Sequence, residues 1–88
     1  MIKLIKFYTD ICAPCRMMNP IVKAVVDELD GVHCESINAT EQPDVAKQFN
    51  VTNVPTFVVL RGTTIVGQKT GMIPKPALKS WLEGLNSP

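Results

Sequence analysis

Two cysteines lie three positions apart in the stretch Asp10-Ile11-Cys12-Ala13-Pro14-Cys15-Arg16, where a strand-like run gives way to a helix-like one. On a helix, residues at that spacing share a face, so the two sulfurs can meet. Cys12 falls at the helix start, where unpaired backbone N–H groups and the positive end of the dipole favour an anion. A thiolate is such an anion, so its pKa is expected below that of a free cysteine. Pro14 fits a first helical turn, having no N–H to leave unpaired. The stretch reads as a disulfide that opens and closes, with Cys12 as attacking thiol and Cys15 as resolving thiol.

The remaining pattern supplies a frame for that pair. Ile2 to Tyr8 is rich in β-branched and aromatic residues and reads as a strand inside a sheet, with Ile5 and Phe7 on one face and Leu4, Lys6 and Tyr8 on the other. Thr9 to Ile11 is the connecting loop. From Cys12 to about Leu29 the spacing of Met18, Ile21, Val22, Val25 and Leu29 predicts a helix, kinked at Pro20 and ended before Gly31. Val32 to Asn38 reads as a second strand. A short helix follows Thr40-Glu41-Gln42-Pro43, with Val45, Ala46 and Phe49 inward and Asn50 in a left-handed exit. Thr56 to Leu60 is apolar enough to be buried on both faces. Arg61-Gly62-Thr63 turns it into a fourth strand, Thr64 to Gln68. A last helix opens near Pro74 to Pro76 and buries Ala77, Leu78, Trp81, Leu82 and Leu85. The order β-α-β-α-β-β-α predicts an α/β fold with a mixed four-stranded sheet flanked by three helices. The whole of 1–88 reads as one domain.

Composition narrows the functional classes. Charged residues make up 19% of the 88 and the net charge is +1, with no basic stripe to meet nucleic acid. The apolar N-terminal run is too short for a signal peptide or a membrane span. Three cysteines do not make a secreted disulfide framework, and a reduced pair fits the cytoplasm.

Taken together, these residues resemble the thioredoxin family, in particular short members without the extra N-terminal strand and helix. The likeness rests on Cys12-Ala13-Pro14-Cys15, Pro20, Val54-Pro55-Thr56 and Gly71, and covers nearly the whole chain. It implies a protein-disulfide reductase with no bound cofactor, working as a monomer. Disulfide-containing proteins would be its substrates, and a flavin-dependent thioredoxin reductase using NADPH would recharge it. It also implies a cis Val54–Pro55 bond facing the disulfide, so that Pro55 tunes the site. A shallow substrate groove would be lined by Asn53, Val54, Thr70, Gly71 and Met72, with Ile11, Ala13 and Pro14 on the rim.

The departures are specific. Ile11 stands where the family usually has Trp, and Ala13 where it has Gly. Lys6 replaces a buried Asp, and that Asp's Lys partner maps to about Ser36. Lys6 has two readings: it points beneath Cys15 and tunes its thiol, or it snorkels to solvent at a sheet edge. Glutaredoxins share the short length and the Phe7-Tyr8-Thr9 entry, but the acids that hold glutathione are absent from Thr70-Gly71-Met72-Ile73-Pro74-Lys75. A protein-binding module would have no need of both thiols. Zinc would need His33 and Cys34 to join the pair, and neighbours on a strand point to opposite faces. Cys34 is therefore expected as a small packed residue, open to oxidation only if its strand is an edge. His33 reads as surface. Tyr8 reads equally as packed or as a substrate contact. Asp10 and Arg16 are expected as solvated charges and Lys69, Lys75 and Lys79 as a solvated face. Met18 reads as core, and Met17 as cover for the sheet edge.

Overall fold

The computed structural model describes residues 1–87. Its elements follow the expected order: β1 (Ile2–Tyr8), α1 (Ala13–Glu28), β2 (Val32–Asn38), α2 (Pro43–Gln48), β3 (Thr56–Arg61), β4 (Thr64–Thr70) and α3 (Lys75–Leu85). The sheet runs β2-β1-β3-β4. β1 pairs parallel with β2 and antiparallel with β3, and β3 pairs antiparallel with β4. β1 is therefore interior, which its apolar content on both faces requires.

Strand alternation sends the two halves of β1 to two cores. Ile2 and Leu4 join Met18, Val22 and Val25 of α1, Phe57 and Val59 of β3, and Leu78 and Leu82 of α3. Ile5 and Phe7 face the other way, against Ile37, Val58 and Ala46 of α2. Phe7 also stacks on Phe49, with ring centroids 5.7 Å apart. Thr56 to Val59 is buried as expected, whereas Leu60, expected inside with them, is only half-buried.

α1 continues through Pro20 to Glu28, and Gly31 takes φ +78° just beyond it. Asn50 adopts the left-handed conformation, φ +56°, and lets Val51 N–H reach the Ala46 carbonyl at 2.9 Å. Among the described residues no helix is long and apolar enough to cross a membrane.

One further expectation about side chains is corrected. Ala77 is exposed, because α3 turns Leu78 and Leu82 inward and Ala77 lies on its first turn. Lys75 and Lys79 lie at the surface as expected, and there both reach Glu28 of α1, at 2.7 and 3.0 Å. Lys69 lies over the Trp81 ring, 5.5 Å from its centroid.

Candidate active site

One end of the sheet carries every segment that the cysteine motif needs. β1 leaves the sheet at Tyr8, beside Asn38 of β2, while Phe7 pairs with Thr56 and Thr56 pairs with Thr70. The Thr9–Ile11 loop, the approach to β3 at Asn53–Pro55 and the exit from β4 at Thr70–Met72 thus share one edge. α1 starts there.

Cys12 is the N-cap of α1, with extended backbone (φ −97°, ψ 102°), and Pro14 occupies its first turn. The Cys12 and Cys15 Cα atoms are 5.2 Å apart and the sulfurs are joined in a disulfide. Cys12 Sγ accepts the Cys15 backbone N–H at 3.1 Å. That N–H is one of the helix's unpaired donors, so the sulfur takes the place of a capping oxygen. No acidic side chain sits in the first turn to oppose negative charge on this sulfur. Cys12 is 8% exposed and Cys15 only 2%, so of the two Cys12 is the one an incoming group can reach.

The loop before Cys12 is tied down more firmly than a solvated segment would be. Arg16 donates to the Asp10 carbonyl at 3.1 Å, and the Asp10 carboxylate accepts the Asn38 side-chain amide at 3.1 Å. Ala39 N–H reaches the Tyr8 carbonyl at 2.8 Å. Both Asp10 and Arg16 remain exposed, but each holds the loop rather than standing free. Asn38, 4% exposed, is a structural residue that sequence reasoning missed. Its only signal was an Asn closing an otherwise plausible strand.

At the same end of the sheet, the Val54–Pro55 bond is cis and Pro55 is buried. The Pro55 carbonyl accepts Gly71 N–H at 2.8 Å, and Thr56 Oγ1 meets the Asn53 carbonyl at 2.6 Å and Thr70 Oγ1 at 3.0 Å. Gly71 takes φ +96°, a conformation a side chain resists. These bonds lock Asn53, Val54, Pro55, Thr70 and Gly71 into one unit. Ile11 is 94% exposed and Met72 48%, with Ala13, Pro14, Asn53 and Thr70 also at the surface. This leaves apolar rim residues in water around a disulfide.

Behind the disulfide lies a cavity of about 470 Å³, lined by Lys6, Tyr8, Asp10, Cys15, Arg16 and Asn19 among others. Lys6 is not at a sheet edge and does not snorkel. It is 6% exposed, on interior strand β1, with Nζ bonded to Asn19 Oδ1 and 5.6 Å from the centroid of the half-buried Tyr8 ring. Burial pushes its ammonium below the ordinary 10.5.

Cys34 departs from the packed reading. It is exposed, since β2 is an edge strand and α1 leaves an open groove of about 290 Å³ over it. Desolvation in that groove holds its thiol above the ordinary 9.0, partly offset by Lys6. His33 is exposed, as is Met17, and Met18 is core.

Comparison with known proteins agrees with this geometry. The thioredoxin family profile, described as "Thioredoxin", matches residues 1–84. Thioredoxin 1 of Nostoc sp. is 32% identical over 81 residues, spanning 91% of this chain and 76% of that one. Thioredoxin H2 of Arabidopsis thaliana is 39% identical over 80 residues, spanning 86% and 60%. Among solved structures, a mutant thioredoxin from Halobacterium salinarum superposes with a TM-score of 0.93 at 29% identity, covering 99% of this chain and 76% of that one. Oxidised mitochondrial thioredoxin 3 of Saccharomyces cerevisiae gives 0.86 at 30% identity, covering 94% and 77%. With the cysteine pair at a helix start and the likeness running through nearly all of its length, the chain belongs to the thioredoxin family and is a thiol–disulfide oxidoreductase that reduces protein disulfides.

Proposed function

We propose that Cys12 attacks the substrate disulfide and Cys15 resolves the intermediate. The observation that carries this assignment is the Cys15 N–H donated to Cys12 Sγ at 3.1 Å at the open end of α1. A charged sulfur there keeps the same donor and gains the helix field. The Cys12 thiolate displaces one substrate sulfur and forms a mixed disulfide. The Cys15 thiolate then attacks Cys12 Sγ, closes the Cys12–Cys15 bond and expels the second substrate thiolate. Two electrons pass from the dithiol to the substrate, and each departing thiolate takes a proton from solvent.

Asn53, Val54, Pro55, Thr70, Gly71 and Met72 receive the substrate chain as an extended strand, and Ile11, Ala13 and Pro14 form the rim against its side chains. Pro55 faces the disulfide and tunes its surroundings. The domain of residues 1–88 acts as a monomer in the cytoplasm. A flavin-dependent thioredoxin reductase using NADPH recharges it.

Trapping tests the order of attack. Cys15→Ser, mixed with disulfide-bearing proteins, is expected to accumulate a covalent adduct on Cys12, whereas Cys12→Ser forms none. Adducts on Cys15 in the second variant would reverse the assignment. Preferential capture of glutathione over protein disulfides would overturn the protein-substrate reading.

A further inference from the structure

Lys6 holds a positive charge on a buried side chain, beside an open cavity, with only neutral groups bonded to it. Its Nζ donates to the amide oxygen of Asn19 and lies near the face of Tyr8. Among the described residues it forms no ion pair. A desolvated ammonium without a counter-ion is costly, and such groups are normally paired.

The neighbours that could supply the anion are few. From the loop, the Asp10 carboxylate lines the same cavity, but it is exposed and accepts from Asn38. From α1, Arg16 adds a second positive charge, which reaches the Asp10 carbonyl. Lys23 and Asp27 border the adjoining groove and pair with each other at 3.1 Å. From β2, Ser36 is neutral, and the exposed Cys34 feels Lys6, but partial desolvation in the groove outweighs it and holds the thiol above its ordinary 9.0. From β3, the residue paired with Lys6 is Phe57. The remaining candidate is Cys15. It lines the cavity with Lys6, and Asn19, which fixes the Lys6 ammonium, lies one helical turn after it. In the disulfide Cys15 is uncharged. Once that bond opens, its sulfur can ionise.

We propose that Lys6 is a positioning residue for the resolving step, its ammonium held by Asn19 as the counter-charge of the Cys15 thiolate. The inference rests on Cys15 being the resolving thiol. Cys15 gives its proton to water in the cavity, and Lys6 keeps its own proton throughout. The Cys15 thiolate then donates its electron pair to Cys12 Sγ, the Cys12–substrate S–S bond breaks, and the substrate sulfur leaves reduced. When the ring closes, Lys6 returns to its neutral partners. The charge therefore favours the open, reduced pair over the closed one.

A neighbouring opposite charge favours the ionised form of an acid, lowering its pKa by roughly 1–3 units. Removing it should raise the Cys15 pKa by at least about one unit. That lowers the thiolate fraction about tenfold at a pH below the pKa. Greater nucleophilicity of the more basic thiolate returns about threefold, leaving the resolving rate about threefold slower.

The test follows the ¹³Cβ shifts of Cys12, Cys15 and Cys34 against pH in the reduced full chain, for wild type, Lys6→Met, Lys6→Arg and Asn19→Ala. The expected result is a Cys15 pKa raised in Lys6→Met, restored in Lys6→Arg, and raised less in Asn19→Ala. The acid limb of the rate of substrate release from the Cys12 adduct should move with it. An unchanged Cys15 pKa in Lys6→Met overturns the proposal. So does an equal rise in Lys6→Met and Lys6→Arg, which would mark a packing role. If Lys6→Met does not fold, Asn19→Ala decides: no shift there overturns it. The titration needs no turnover, so it stands or falls apart from the trapping experiment on the order of attack.

Discussion

Asn38 and Asp10, 28 positions apart in the chain, are joined side chain to side chain at 3.1 Å, and the other end of the Asn38 amide accepts the backbone N–H groups of Thr40 and Glu41 at 2.9 and 3.3 Å. One buried amide thus fastens the loop before Cys12 to the turn after β2. Asn38→Ala strands these donors and loosens both segments. The expected loss is about 1–3 kcal/mol, with a melting midpoint lower by roughly 4–8 °C per kcal/mol for a domain of this size. Thermal unfolding of the oxidised protein checks it, and an unchanged midpoint would contradict the fastening role.

Lys6 has the opposite sign for stability. A buried charge without a counter-ion gives way to a hydrophobic group of similar length at little or no cost, often with a gain. Lys6→Met should leave the oxidised fold as stable or more so near neutral pH, while Leu4→Ala on the same face of β1 loses about 2–5 kcal/mol. The Lys6 pKa is lowered in the folded state from 10.5, so the unfolded chain binds more protons between the two values. Wild-type stability attributable to this group should therefore rise with pH through that window, and the advantage of Lys6→Met should shrink there. Denaturant midpoints at neutral and alkaline pH measure both effects.

Glu28 accepts both Lys75 and Lys79, and these bonds hold its carboxyl below the ordinary 4.5. A depressed folded pKa contributes stability that is present above the unfolded value and lost as pH falls through the folded one. Glu28→Gln should match wild type at low pH, begin to fall below it as pH rises through the depressed folded pKa, and show its full deficit above about 4.5. The pairs are exposed, so added salt should narrow the gap. Unfolding midpoints from pH 3 to 7, about the range of carboxylate titration, at two salt concentrations are the measurement.

Gly67 lies beneath the α3 side chains. A Cβ there would stand 2.8 Å from Leu85 Cδ1 and 3.0 Å from Trp81 Cζ2. Overpacking costs about 1–3 kcal/mol, and reduced freedom of the unfolded chain returns about 0.4–1 kcal/mol. The Leu85 tip can rotate away more readily than the Trp81 ring. Gly67→Ala should therefore be destabilised by about 1 kcal/mol, seen in denaturant unfolding together with a perturbed Trp81 fluorescence.

Under the proposed function, the exposed Ile11 and Met72 are covered by a docking protein. Half-burying such a side chain is worth about 1–1.5 kcal/mol, or roughly 5–10-fold in kcat/KM. Ile11→Ser and Met72→Ser should each lower kcat/KM for a protein disulfide by about that factor. With a small disulfide that cannot reach the rim, both variants should match wild type. Equal losses on the two substrates would point to damage at the sulfurs.

Most of the frame was legible because period and punctuation agreed. The Ile5/Phe7 and Leu4 alternation, the helical spacing of Met18, Val22 and Val25, and Asn50 at a helix exit each express a local rule. What was not legible depended on neighbours distant in the chain. Cys34 was read as packed because small apolar residues usually are. Its exposure follows from β2 being an edge that α1 only partly covers. That Lys75 and Lys79 share Glu28 was not legible, because Glu28 lies far back in the sequence. Asn38 left no more than a polar close to its strand, since its role is set by Asp10 in the loop after β1. Lys6 left two readings open, and the interior position of β1 excluded the sheet-edge one.

The four-residue ring closed by Cys12 and Cys15 bears on the energetics of folding as well as on chemistry. A cross-link restricts the unfolded chain in proportion to the logarithm of the loop it closes. For so short a loop the chain-entropy model gives about 2 kcal/mol, against nearly 5 kcal/mol for a link spanning a chain of this length. Opening the bond therefore withdraws little conformational restraint. The reduced chain is thus expected to keep the folded frame, so that each turn of the cycle needs no refolding step.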